Sequence, residues 1–278
     1  MATLETIRES LRGAADELNP QCRCPLDIAE VLARLGISLE FKAIQGRSGR
    51  AYLVIGDSAS VVVSRNRTAP SLAEGDRFSI AHEVGHWVVW RRFGFLPSSK
   101  TEYWKHEALC NEFAALLLVP PRFLAGFLRD LEQRHRVYSV FFPKCVASSA
   151  RVSWDVAARS ITALPSARLA YLKLSTMKCE DSLTRDDSPQ EILKVVCSSF
   201  AGRAGSFLGE GARIRDNQLS DWMRGLRINE RATKPLTINL GQLQLCNVGA
   251  CFARQSKNCW TVQFHTDDEG ITMPSGQA

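Results

Sequence analysis

The chain has 278 residues, 45% of them hydrophobic and 23% charged, with a formal net charge of +6. This is enough apolar material for a sizeable core, which excludes a disordered chain, and with no run of eighteen or more apolar residues a membrane-spanning helix is not expected. Nine scattered cysteines in a chain this long argue against a secreted disulfide framework and for reduced thiols.

The opening Met1-Ala2-Thr3-Leu4-Glu5 lacks the basic stretch and apolar core of a secretion signal, so a cytoplasmic protein is expected. Residues 4–19 then place Leu4, Ile7, Leu11, Ala14, Ala15 and Leu18 at helical spacing, ending near Asn19-Pro20. Cys22-x-Cys24 is shorter than the usual zinc spacing. A second helix is expected from Pro25 or Leu26 to Leu35, with Gly36 as its stop. Three strands follow, Ile37–Phe41, Ala51–Ile55 and Ser60–Ser64, the last two joined by a hairpin loop at Gly56-Asp57-Ser58.

The next segment carries the chemistry. In Arg77-Phe78-Ser79-Ile80-Ala81-His82-Glu83-Val84-Gly85-His86-Trp87, two histidines lie four residues apart in an apolar helical pattern. Helical geometry sets His82 and His86 on one face, about 6 Å apart, where one cation bridges them. Imidazole nitrogens suit zinc, and a catalytic zinc takes three protein ligands and leaves a position open, beside which Glu83 would stand. Gly75-Asp76 is the expected start of this helix, with Asp76 as cap, and Arg91-Arg92-Phe93-Gly94 its end. Gly85 inside it costs about 1 kcal/mol against alanine and asks for a reason, of which close approach by another backbone is one.

A further helix is expected over residues 102–119, stopped by Pro120 and Pro121. Glu107, Cys110, Asn111 and Ala114 form a stripe along it at helical spacing. Glu107 lies 21 residues after His86, room for a turn and a return helix that completes a His, His, Glu ligand set. Glu112 competes as third ligand but falls well round the helix from that stripe. A His-Glu-x-x-His string arises by chance in on the order of one chain in a hundred of this length, so the helical context has to decide between a metal site and a core histidine pair.

Phe78 to His86, followed by Glu107-Ala108-Leu109-Cys110-Asn111-Glu112-Phe113-Ala114-Ala115 and Leu117-Leu118-Val119-Pro120, resembles the ImmA/IrrE family of bacterial metallopeptidases. Two separated blocks agree in order and spacing, covering about residues 25–125. The resemblance implies a minimal zincin-like metallopeptidase domain with His82, His86 and Glu107 on zinc and Glu83 as catalytic acid/base. Manganese or iron suits such a nitrogen and oxygen set as well. It also implies a regulatory target, since family members cut, or trigger loss of, helix-turn-helix (XRE-type) repressors and so switch on stress-response or mobile-element genes. Tyr103 and His106 are nearby candidates for stabilising the transition state, against surface or packing roles. An exposed edge such as Ser60–Ser64 would hold an extended substrate by strand addition.

Chain length and order resemble the IrrE type, giving an α+β protein of three parts: a peptidase domain at 1–121, a helical, helix-turn-helix-like segment at 122–165 and a C-terminal GAF-like sensor domain at 166–278. In the middle part, Phe123, Leu124, Phe127, Leu128 and Leu131 mark one helix, and Val152 to Ile161 another with Ser153 as cap. Residues 121–178 hold ten basic against three acidic side chains and so carry the whole positive excess. That admits DNA or an acidic partner, and the resemblance also admits a segment that holds the repressor, but helical packing against the peptidase domain is the favoured role.

From residue 166 onward, strands are expected at Leu169–Leu174, Leu236–Leu240, Cys251–Arg254 and Trp260–Phe264, with an amphipathic helix from Pro189 to Ser199. Cys246, Cys251 and Cys259 with His265 form a loose group, either a second metal or redox site or buried thiols, and the last ten residues are expected to be loose. Two readings other than hydrolysis stay open. One is a zinc-containing regulator that binds its repressor without cutting it, the other a DNA-binding regulator.

Overall fold

The computed structural model describes residues 3–43, 51–64, 72–94, 99–135, 142–164, 169–178, 191–200, 213–214, 217–228, 231–240, 243–256, 259–265 and 271–272. The fold is α+β, and the chain divides into two compact units, residues 1–134 with 141–160, and residues 135–140 with 161–278. Of the helical segment that the sequence sets apart at 122–165, residues 122–134 and 141–160 thus fall in the first unit. Among the described residues no single helix is long and apolar enough to cross a membrane.

The first unit opens with α1 (Leu4–Leu18), whose Ile7, Leu11, Ala14, Ala15 and Leu18 are buried as the apolar spacing requires. Asn19 closes it and is 3% exposed, because its side chain donates to the carbonyls of Arg23 and Leu117 and accepts from the Arg23 N–H. Those bonds tie the end of α1 to the end of the helix that carries Glu107. α2 (Ile28–Leu35) starts later than expected because the Asp27 side chain accepts from the Ala29 N–H, and it ends at Gly36, in the left-handed conformation at φ +68°.

β1 (Ile37–Lys42), β2 (Ala51–Ile55) and β3 (Ala59–Ser64) form a sheet in the order β1-β3-β2, with β1 parallel and β2 antiparallel to β3. The expected hairpin is present, but the expected edge is not: β3 is the central strand. Val61, Val63 and Ser64 are fully buried, since an uninterrupted Val61-Val62-Val63 run suits a strand covered on both faces. The strand that lies at the edge beside the histidine helix is β2.

Helix α3 (Glu74–Phe93) buries Ile80, Ala81, Val84, Gly85, Val88 and Val89. Asp76 is not its cap but lies one turn inside, where its carboxylate accepts from the Ala73 N–H at 3.2 Å, so it satisfies a backbone group just ahead of the helix instead. Gly94, at φ +67°, ends the helix as expected. Arg77 is 5% exposed and donates to the carbonyls of Leu26 and Arg151, tying the start of α3 to α2 and to the helical segment. Burial lowers the pKa of its guanidinium, an effect opposed by nearby Asp27.

Helix α4 (Lys100–Leu118) is capped by the Ser99 side chain, which accepts from the Glu102 N–H. It stops before Pro120, and Pro121 then begins α5 (Pro121–His135), where a missing N–H costs nothing. α6 (Phe142–Ala150), absent from the expected elements, and α7 (Trp154–Thr162), whose last two residues fall in the second unit, follow. The Ser153 side chain accepts from the Val156 N–H at 3.4 Å and so caps α7 as expected.

The second unit is built on a seven-stranded antiparallel sheet. β4 (Leu169–Lys178), β5 (Glu191–Phe200), β6 (Arg213–Ile214), β7 (Arg231–Leu240), β8 (Leu243–Ser256), β9 (Cys259–His265) and β10 (Ile271–Thr272) run in the order β10-β8-β9-β4-β5-β6, and β7 pairs with β8. α8 (Asn217–Gly225) lies between β6 and β7 in the chain. The four expected strands are present and longer, but the helix expected over 189–199 is corrected. Residues 191–200 are β5, paired with β4 from Glu191 opposite Lys178 to Phe200 opposite Ala170. Ile192, Val195 and Val196 favour a pleated strand, and that pairing overrides their helix-like spacing. The side chains of Cys246, Cys251 and His265, and the last six residues, lie outside the described parts.

Candidate metal centre

Helices α3 and α4 pack closely because of Gly85. A Cβ there would sit 3.3 Å from Cys110 Cα and 3.0 Å from Phe113 Cδ1, so only a glycine admits this approach without displacement. The same contact brings the histidines of α3 level with Glu107 of α4. His82 Nε2 is 3.2 Å from Glu107 Oε2, His86 Nε2 is 3.1 Å from Glu107 Oε1, and the two Nε2 atoms are 3.0 Å apart. One donor atom from each residue lies within 4.8 Å of the others.

The charge state of this cluster is informative. Burial pushes His86 down to about 4, with neighbouring His82 adding to the effect, so its imidazole is neutral at pH 7. Asn111 Oδ1 lies 3.0 Å from His82 Nδ1 and accepts its N–H, which leaves the His82 Nε2 lone pair turned toward the cluster. Two imidazole nitrogens and a carboxylate that face one another this closely could hold a metal ion. Bonds of about 2.1 Å in a tetrahedron separate neighbouring ligand atoms by roughly 3.4 Å, close to what these residues present, so the set fits zinc.

Glu83 stands beside the cluster on the edge of the sheet. Its Oε2 accepts from the Leu53 N–H of β2 at 3.0 Å. Burial pushes its carboxyl up to about 7; the Leu53 N–H works against that and Glu107 adds to it. Glu112, the competing third ligand, is engaged elsewhere: it takes Arg8 at 3.1 Å and Arg12 at 2.8 Å, joining α4 to α1.

Of the two further candidates, His106 is buried at 4% exposure and raises the cost of a charge on His86, while Tyr103 is 46% exposed and stacks edge-on against Trp104. Two contributors escaped the sequence reading. Asn111 stood in the expected stripe without a role, and the Leu53 backbone N–H leaves no trace in residue type. Cys110, in the same stripe, faces Gly85, and burial pushes its thiol pKa up; burial likewise pushes that of Cys24 up to about 12.

No family model matches the chain, and no curated protein matches it. Among solved structures it is similar to a Mycobacterium tuberculosis transcriptional regulator, with a TM-score of 0.54 and 12% sequence identity over 97% of this chain and 99% of that one. At that identity the likeness speaks for a shared fold over nearly the whole length of both chains.

Proposed function

We propose that the first unit is a zinc-dependent endopeptidase of the ImmA/IrrE type, which makes a selective cut in a helix-turn-helix repressor and thereby derepresses stress-response or mobile-element genes. The observation that carries this reading is the convergence of His82, His86 and Glu107 within 4.8 Å, with Glu83 next to His82 in sequence. Zinc held by those three residues would supply Lewis acidity toward a water and a peptide carbonyl. Manganese and iron are the other metals such a set accepts.

The chain's own residues supply the rest. Glu83 takes the proton of the attacking water and passes it to the leaving amine, and a carboxyl held near 7 exchanges a proton in either direction at neutral pH. The Leu53 N–H holds Oε2, which leaves Oε1 to carry that proton. Asn111 keeps His82 in the tautomer whose Nε2 is a ligand. The outer edge of β2 is where an extended segment would add as a further strand. His106 and Tyr103 stay as the candidates for a donor to the developing oxyanion, and a sensory role is assigned to the second unit by its place after the peptidase.

A regulatory role agrees with the name of the solved neighbour, a transcriptional regulator. That same likeness favours a second reading, a zinc-containing regulator that binds a repressor or DNA without hydrolysis. One experiment separates the two. Zinc-loaded protein is incubated with the helix-turn-helix repressor encoded beside its gene, and the products are read by mass spectrometry. One defined cut, abolished by chelator and by Glu83→Gln, supports the peptidase; intact repressor, released equally by parent and Glu83→Gln protein, overturns it.

A further inference from the structure

The two elements that bracket the metal centre both expose apolar side chains toward solvent. On α4, Trp104 is 61% and Tyr103 46% exposed, and their rings meet edge to face with centroids 5.3 Å apart. They precede Glu107 by three and four residues, one helical turn, so their Cβ atoms stand about 6 Å from that of the third ligand and flank it on the same side of the helix. On β2, Val54 is 50% and Ile55 38% exposed, directly after the Leu53 N–H that holds Glu83. An exposed tryptophan next to a ligand contributes nothing to the core, whereas a preformed aromatic pair offers a large contact area at little cost in side-chain freedom.

We propose that Trp104, supported by Tyr103, is a specificity determinant that takes a large apolar side chain, leucine, methionine, phenylalanine or tryptophan, of an extended peptide laid along β2. The inference rests on the peptidase reading and narrows its substrate to segments with such a residue beside the cut bond. Continuity carries the assignment. The backbone of an added strand would pair along the outer edge of β2 on either side of the Leu53 N–H that Glu83 occupies, and a side chain near the cut bond would then fall by Glu107, one turn from the aromatic pair. In a helix-turn-helix protein, large apolar side chains form the core, so a cut at such a residue requires that the segment first leave its fold; this would make the enzyme selective for an unfolded or strained target.

The test reads binding without turnover. Zinc-loaded Glu83→Gln protein is mixed with a library of randomised octapeptides, and the bound fraction is sequenced. Leucine, methionine, phenylalanine and tryptophan are expected to be enriched over alanine by about three- to tenfold at one position. Trp104→Ala in the same background is expected to remove that enrichment, and Trp104→Phe to retain most of it, at unchanged zinc content and melting temperature. No apolar enrichment, or enrichment that Trp104→Ala leaves intact, overturns the proposal. Failure of the parent protein to cut any peptide would instead count against the peptidase reading, so the two failures are told apart.

Discussion

Gly85 of α3 lies against Cys110 of α4 so closely that an added Cβ would stand 3.3 Å from the Cys110 Cα and 3.0 Å from the Phe113 ring. The histidines and Glu107 face each other across this contact, so helix spacing and ligand spacing are one quantity. Gly85→Ala gains about 1 kcal/mol of helix propensity. Against that, the Cys110 backbone can give way only if α4 moves, and crowding of this kind costs about 1–3 kcal/mol. A net destabilisation of about 1 kcal/mol is expected on urea unfolding, with weaker zinc binding in a competition titration. A variant that binds zinc as tightly as the parent and unfolds no earlier would refute the spacing argument.

The His82 to Asn111 hydrogen bond makes a second expectation. Without the Asn111 oxygen nothing selects the tautomer that leaves Nε2 free, and loss of such an outer partner costs 10- to 100-fold in metal affinity. Asn111→Leu is expected to lower zinc affinity by that factor, while Asn111→Asp, which keeps an acceptor, retains most of it. Equal losses in both variants would show that the contact is packing alone.

What the sequence disclosed was local. His82, His86 and Glu107 were legible because one period of 3.6 residues governs both helices, and Gly85 was legible because a glycine inside a helix needs a neighbour to excuse it. What it withheld was non-local. The hairpin at residues 56–58 tells that β2 and β3 pair but not that β1 takes the far side of β3 in parallel, so Ser60–Ser64 reads as an edge although the Val61-Val62-Val63 run suits burial on both faces. Leu53 acts through its backbone, which every residue but proline possesses. At Ile192, Val195 and Val196 a short apolar run fits either period, and pairing with β4 decided.

Glu107 and Glu112 provide a third contrast. Glu107→Gln takes the carboxylate from the ligand set and is expected to lower zinc affinity by at least 100-fold, in line with loss of one ligand of three. Glu112→Gln breaks ion pairs with the half-exposed Arg8 and Arg12, which is expected to cost no more than about 1 kcal/mol in thermal unfolding and to leave zinc binding alone. A loss of zinc in the Glu112 variant would return it to the ligand set.

Proton linkage at Glu83 offers a test that needs neither substrate nor metal. The carboxyl titrates at an ordinary value of 4.5 in the unfolded chain and is pushed up to about 7 by burial in the folded one. Between those values the folded state keeps a proton that the unfolded state has released, so the stability owed to Glu83 is complete below about 4.5, declines as pH rises and is lost by about 7. His86 acts oppositely: held down to about 4, it makes the protein less stable as pH falls below its ordinary 6.5, because the unfolded chain then binds the proton. That effect is present in the parent and in a Glu83 variant alike and cancels between them. Glu83→Gln mimics the protonated carboxyl at every pH, so in chelator the variant and the parent are expected to unfold alike at pH 4.5, with the variant gaining steadily to an advantage of about 1–3 kcal/mol at pH 7 and holding it at pH 8. Excess zinc would reverse the ranking, since a nearby cation favours the ionised carboxylate that glutamine lacks. Parallel stability curves in chelator would mean that Glu83 titrates at the same pH in the folded and the unfolded chain, and the burial argument for its role as a proton carrier near neutral pH would fall.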